Sequence, residues 1–178
     1  MTTLYTIGHS TRSAEEFVDL LRAHSVRRLI DVRTVPKSRR NPQFARDVLG
    51  PYLRNRRIAY RHVAALGGLR KPRKDSANAG WRNTSFRGYA DHMQTPEFQN
   101  ALAQLMAWAE ERPTAVMCAE AVPWRCHRSL IADALIVRGF EVRDIMTTTS
   151  ARQHTLNPMA QRRGDSLVYP FDPRAPSP

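Results

Sequence analysis

Apolar positions fall in short blocks separated by polar, turn-rich stretches, and the spacing within the blocks switches between continuous runs and helical periodicity. Leu4 to Ile7 is a continuous run that stops at Gly8-His9-Ser10. Ser13, followed three residues later by Glu16, then opens a helix carrying Phe17, Leu20 and Leu21. Leu29 to Val32 reads as a second buried strand, ending at Arg33 in a loop with Pro36 and Pro42. A helix is expected over Phe44 to Arg57, with Gly50-Pro51 as a point where it could split, and a third strand over Ile58 to Val63. From Gly67 to Arg82 the chain is too polar and basic for core and reads as a surface excursion over the sheet edge.

Helical spacing returns over Phe86 to Met93 and over Thr95 to Glu111, where Phe98, Leu102, Leu105, Met106 and Ala109 share a face. Thr114 to Cys118 is a fourth strand, Pro123 to Arg138 a helix stopped by Gly139, and Val142 to Met146 a fifth strand. Strands alternating with helices predict an α/β fold, a three-layer Rossmann-like or flavodoxin-like domain with a mostly parallel sheet of about five strands and helices on both faces. It is expected to fill residues 1–170 as one domain, with the proline-rich end 171–178 frayed.

Composition narrows the class. The 178 residues are 42% hydrophobic and 25% charged, values of a folded globular chain. No run reaches the length needed to cross a bilayer, the N-terminus lacks a secretory pattern, and two cysteines make no disulfide framework. A cytoplasmic location is the expectation. The net charge of +12 is regional: residues 27–82 hold 16 of the 28 basic residues and only three acidic ones, Asp31, Asp47 and Asp75. Arginine supplies nearly all of the cations, and its planar fork suits phosphate or carboxylate. A polyanionic partner, nucleic acid included, is therefore in view, with Tyr52, Tyr60 and Trp81 as faces for stacking bases.

The predicted topology gathers polar residues at the strand ends. His9 and Ser10 follow the first strand, Asp31 and Arg33 the second, Cys118 and Glu120 the fourth. Arg125, Cys126, His127 and Arg128 fall in or beside the first turn of the next predicted helix, where free amides favour an anion and a lowered thiol pKa. Cys118 or Cys126 is the candidate nucleophile, Glu120 or His9 the proton carrier, Asp31 the orienter of a base, and Arg33, Arg125, Arg128 and Ser10 the anion binders. Other chemistries fit less well. Cys118, Glu120, Cys126 and His127 match no zinc finger or ribbon spacing, so neither metal nor cofactor is expected. A hydrolase triad lacks the Gly-x-Ser-x-Gly elbow. In a tyrosine-phosphatase loop, arginine stands six residues after cysteine, and here that position is Trp124.

Taken in order, Thr6-Ile7-Gly8-His9-Ser10, Asp31-Val32-Arg33, Asn41-Pro42-Gln43-Phe44, Leu66-Gly67-Gly68, Phe86-Arg87-Gly88-Tyr89-Ala90, Met117-Cys118-Ala119-Glu120 and Cys126-His127-Arg128 resemble the bacterial and archaeal family catalogued as domain of unknown function number 488. The resemblance spans nearly the whole chain and implies a three-layer α/β fold without implying a reaction. Two positions depart from its pattern: Val122, where an acidic residue is expected, and Asp144, where histidine is expected. The order of landmarks also resembles rhodanese-type sulfurtransferases, which would make Cys118 a persulfide carrier. Three readings follow: an anionic, phosphate-bearing ligand at the carboxyl ends of the strands with thiol or acid/base chemistry; a sulfurtransferase using Cys118; and a non-enzymatic nucleic-acid binder using residues 27–82.

Overall fold

The computed structural model describes residues 1–174. Its framework is a parallel sheet built from β1 (Thr3–Gly8), β2 (Arg28–Asp31), β3 (Ala59–His62), β4 (Thr114–Cys118) and β5 (Glu141–Ile145). A short antiparallel strand, β6 (Ala151–Gln153), pairs with β5 and completes six strands in the order β3-β2-β4-β1-β5-β6. The sheet thus has one strand more than the hydrophobic runs predict. A separate hairpin of β7 (Gln161–Arg163) and β8 (Ser166–Val168) follows. Residues 175–178 of the proline-rich end lie outside the described residues.

Alternating side chains divide the core in two, as the period of an extended strand requires. Ile7, Leu29, Ala115 and Met117 meet α1 (Ala14–Ala23) and α2 (Arg46–Arg54) on one face. Leu4, Ile30, Val116 and Cys118 meet α3 (Thr84–His92), α4 (Pro96–Glu111) and α5 (Arg128–Val137) on the other. β2 and β4 are buried along their whole length; β4 reads in the sequence as a nearly continuous apolar block, whereas β2 carries buried Arg28 and Asp31 at its ends. Ser13 caps α1 by accepting from the Glu16 amide, and Thr95 caps α4 from the Phe98 amide.

Three expectations are corrected. Gly50-Pro51 does not split α2: Leu49 and Leu53, one turn apart, are both buried and hold the chain against the core on either side of Pro51. The segment after Gly67 is more than a surface excursion over the sheet edge. Buried Asn78 donates to Asp91 at 2.7 Å and accepts from the Tyr169 amide, which ties the segment to α3 and to the chain beyond β8. The helix expected from Pro123 begins at Arg128. Residues Pro123–Arg125 make a single 3-10 turn, and Cys126 is extended at φ −132° and ψ 147°.

β1 and β4 are neighbours, in register from Tyr5 opposite Ala115 to Gly8 opposite Cys118. The chain leaves β1 for the face carrying α1 and leaves β4 for the face carrying α5. Their carboxyl ends are therefore a topological switch point, the place where open α/β sheets bind ligands.

Candidate thiol site at the strand ends

The pairing of β1 with β4 continues past the strands: the His9 amide donates to the Cys118 carbonyl at 2.9 Å and the Ser10 amide to Ala119 at 3.0 Å. Gly8 permits this closeness, since a Cβ there would lie 1.8 Å from the Glu120 carbonyl oxygen. Ser10 leaves the strand in the left-handed region, at φ 49°.

Against this seam sits a compact cluster. Cys126 Sγ lies 2.7 Å from Cys118 Sγ, and Arg128 Nη1 donates to Cys118 Sγ at 2.8 Å. The extended backbone at Cys126 brings this about by directing its side chain back across the end of β4. Arg128 is only 1% exposed, although it is among the bulkiest side chains in the core. Its remaining bonds go to Thr6 Oγ1 and to the carbonyls of Glu120 and Ala121. Among the described residues none of its partners is a carboxylate. A buried guanidinium without an anion is costly, and the partner able to carry the negative charge is the Cys118 sulfur.

The titration of the two thiols follows from this geometry. Burial opposes ionisation of Cys118, but the hydrogen bond from Cys126, the Arg128 charge and the neighbouring donors outweigh it and bring its pKa down to about 7. Cys126 is driven the opposite way, by donating to Cys118, by burial and by the charge of its neighbour. His127 Nε2 bonds the Val32 carbonyl at 2.9 Å, leaving Nδ1 3.5 Å from Cys126 Sγ. Burial, with the Arg128 charge, lowers its pKa to about 4 and keeps the ring neutral.

A second cluster lies beside the first. Asp31 is fully buried and accepts from Arg33 Nε at 2.9 Å, Arg33 Nη2 at 2.6 Å and Tyr60 Oη at 2.5 Å. Arg33 also donates to the Phe44 carbonyl at 2.7 Å. His9 stacks on Phe44 with ring centroids 4.4 Å apart, and burial lowers its pKa.

The structure therefore brings Cys118, Cys126, His127 and Arg128 together, and groups His9, Asp31 and Arg33 next to them. Glu120 and Arg125 are exposed on the rim with Ser10 half-buried beside them, and the bonds Glu120 makes to the cluster come from its carbonyl. The helix amides expected to meet an anion turn inward, with the Arg128 N–H directed at Cys126 Sγ, 3.5 Å away.

Sequence reading missed the extension of the cluster toward β6. Thr6 bonds both Arg128 and Asp144, and His154 bonds Asp133 at 2.9 Å and approaches Asp144 at 3.7 Å. Tyr169 donates to Asp133 at 2.8 Å. Burial opposes the charge on His154, but its bonds to the two carboxylates and their charges raise its pKa to about 9. Thr6 and Asp133, polar residues inside apolar blocks, were the available signal; His154, in a polar stretch, left none. Among the described residues, no three His, Cys, Asp or Glu side chains gather as a metal site, and no helix is long and apolar enough to cross a membrane.

Fold and site together define a three-layer α/β protein with an arginine-backed pair of cysteines at the switch point of its sheet. The chain belongs to the family described as domain of unknown function DUF488, whose model matches residues 13–135. No curated protein and no solved structure matches it.

Proposed function

We propose that the chain is a thiol-dependent enzyme in which Cys118 attacks a small hydroperoxide and Cys126 resolves the product to a disulfide. The observation that carries this reading is the buried Arg128, whose charge is balanced by a sulfur with a second thiol 2.7 Å beyond it. In the first step the Cys118 thiolate attacks one peroxide oxygen, the O–O bond breaks, and the leaving oxygen takes a proton from solvent to depart as an alcohol or water. Cys118 becomes a sulfenic acid. The negative charge that held the Cys126 proton is then gone. Cys126 then attacks the Cys118 sulfur, and its proton passes to the departing hydroxyl oxygen of the sulfenic acid. The S–O bond breaks, water leaves, and the dithiol has passed two electrons to the peroxide. An external thiol reductant returns the disulfide to the dithiol. The burial of both cysteines, whose residues are 3% and 7% exposed, favours a substrate this small.

The sulfurtransferase reading suits this geometry less well, because Cys126 occupies space beside Cys118 that the outer sulfur of a persulfide needs. A phosphate-bearing ligand has weaker support at the strand ends, because Arg33 and Arg128 direct their donors into the protein. The test is rapid mixing of the fully reduced protein with hydrogen peroxide, followed by intact-mass measurement. The expected result is a Cys118–Cys126 disulfide formed faster than free glutathione reacts, with a trappable sulfenic acid accumulating in Cys126→Ser. Oxidation no faster than glutathione, or a stable persulfide formed from thiosulfate, would overturn it.

A further inference from the structure

The open edge of the sheet carries a second, separate feature. Among the described residues β3 pairs only with β2, which leaves one side of its backbone without a strand partner. Beside it lies a cleft of about 500 Å³ lined by Arg46, Arg54, Tyr60, Arg61, His62 and Trp108. Arg46 and Arg54 come from α2, Arg61 from β3 and Trp108 from α4, so two elements bring cations and a third an aromatic ring to one space. Among the described residues none of the three guanidiniums is in an ion pair, and Asp47 is the one acidic residue of the lining. Gly50 forms part of the wall where a Cβ would crowd Arg54 Nη1 at 3.2 Å and Tyr60 at 3.3 Å, so the absence of a side chain makes room for the guanidinium. Arg61 lies over the Trp108 ring, 5.0 Å from its centroid.

A charge that merely guards a sheet edge against pairing needs no such convergence, since a single exposed cation suffices. Three guanidiniums without anions around two aromatic rings are the elements of a phosphodiester track with stacking platforms. A cleft of this size admits one nucleotide at a time and not the width of a duplex. We propose that this cleft binds the backbone of single-stranded nucleic acid, with phosphates on Arg46, Arg54 and Arg61 and a base against Trp108. The cleft shares no residue with the cysteine cluster, so the proposal stands or falls independently of the thiol chemistry.

The test is fluorescence anisotropy of the full chain with labelled single-stranded 12-mers of RNA and DNA, from about 50 to 200 mM salt. The double variant Arg54→Glu/Arg61→Glu is compared with Arg162→Glu/Arg163→Glu, an exposed pair on β7. The expected result is salt-sensitive binding that weakens at least about tenfold in the cleft variant and less than about threefold in the control, reflecting loss of direct phosphate contacts. Circular dichroism confirms that both variants fold. No binding at the lowest salt, equal losses in both variants, tighter binding of duplex, or a mononucleotide bound as tightly as the 12-mer would each overturn it.

Discussion

Arg128 Nη1 stands 2.8 Å from Cys118 Sγ, in a pocket where the guanidinium has no carboxylate partner among the described residues. The guanidinium charge favours the thiolate form of Cys118. Replacing Arg128 with methionine, which fills similar space without charge, removes the main cationic support of the thiolate. The Cys118 pKa is expected to rise from about 7 to the ordinary thiol value of about 8.5 or above. Iodoacetamide alkylation followed against pH, with the Cys118 and Cys126 adducts separated by peptide mass, reads this directly; an unmoved Cys118 titration would show that Arg128 is structural only.

Asp31 and Arg33 separate structural from chemical roles. Asp31 has every oxygen satisfied from inside the protein, and Arg33 is buried with it. Asp31→Ala leaves that guanidinium unpaired and is expected to destabilise the fold by about 3–5 kcal/mol, the range for breaking a buried pair. Urea unfolding measures this. Below the transition, the rate of Cys118 alkylation in the variant is expected to match the parent. A lost thiol reactivity in folded Asp31→Ala would place Asp31 in the reacting machinery instead.

The contrast between the two ends of the chain shows what a sequence exposes. β4 is legible because burial on both faces leaves a nearly continuous apolar run, β2 because Leu29, Ile30 and the following Val32 form a run broken only by Asp31, and α1 because Ser13 marks its start. β6, β7 and β8 are three residues each, too short for length or period to distinguish them from loop, and β6 and β7 are also mostly exposed. The residues of the cysteine cluster were also legible, but their arrangement was not. Pro123 marks the first residue of a helical turn, as expected, yet that turn closes after Arg125. Whether Cys126 lies in a helix or extended before one depends on the contact its sulfur makes with a strand, a tertiary preference with no local signature. Asp144 stood out as a departure from the family pattern, and the structure gives it a place between Thr6 and His154.

Gly8 is the position where the least change should do most damage. An added methyl group would meet the Glu120 carbonyl at 1.8 Å, and that carbonyl is fixed by its bond to Arg128. The neighbour is backbone, so relief requires β1 and the loop after β4 to part. Gly8→Ala is expected to cost about 2–4 kcal/mol, at the upper end of overpacking effects, and to raise the Cys118 pKa as the cluster loosens. Thermal unfolding and thiol titration check the two parts separately.

His154 should make the stability of the chain depend on pH in the alkaline direction. Its pKa is about 9 in the folded protein against about 6.5 when unfolded, because Asp133 and Asp144 face it, with Tyr169 bonded to the far oxygen of Asp133 and Arg152 on the same cavity wall. A raised pKa means that the folded state binds the proton more tightly. Its stabilisation is complete below about pH 6.5, declines above it, and is lost once pH passes about 9. Partial solvent access reduces the linkage maximum, leaving an expected loss of about 1–3 kcal/mol across that window. His154→Gln keeps a donor toward Asp133 without the titration, so its unfolding free energy should be lower at pH 6 and nearly level with the parent at pH 9.5. Urea titrations at those two pH values decide the matter: a difference that persists unchanged at pH 9.5 would mean that His154 acts through packing and not through charge.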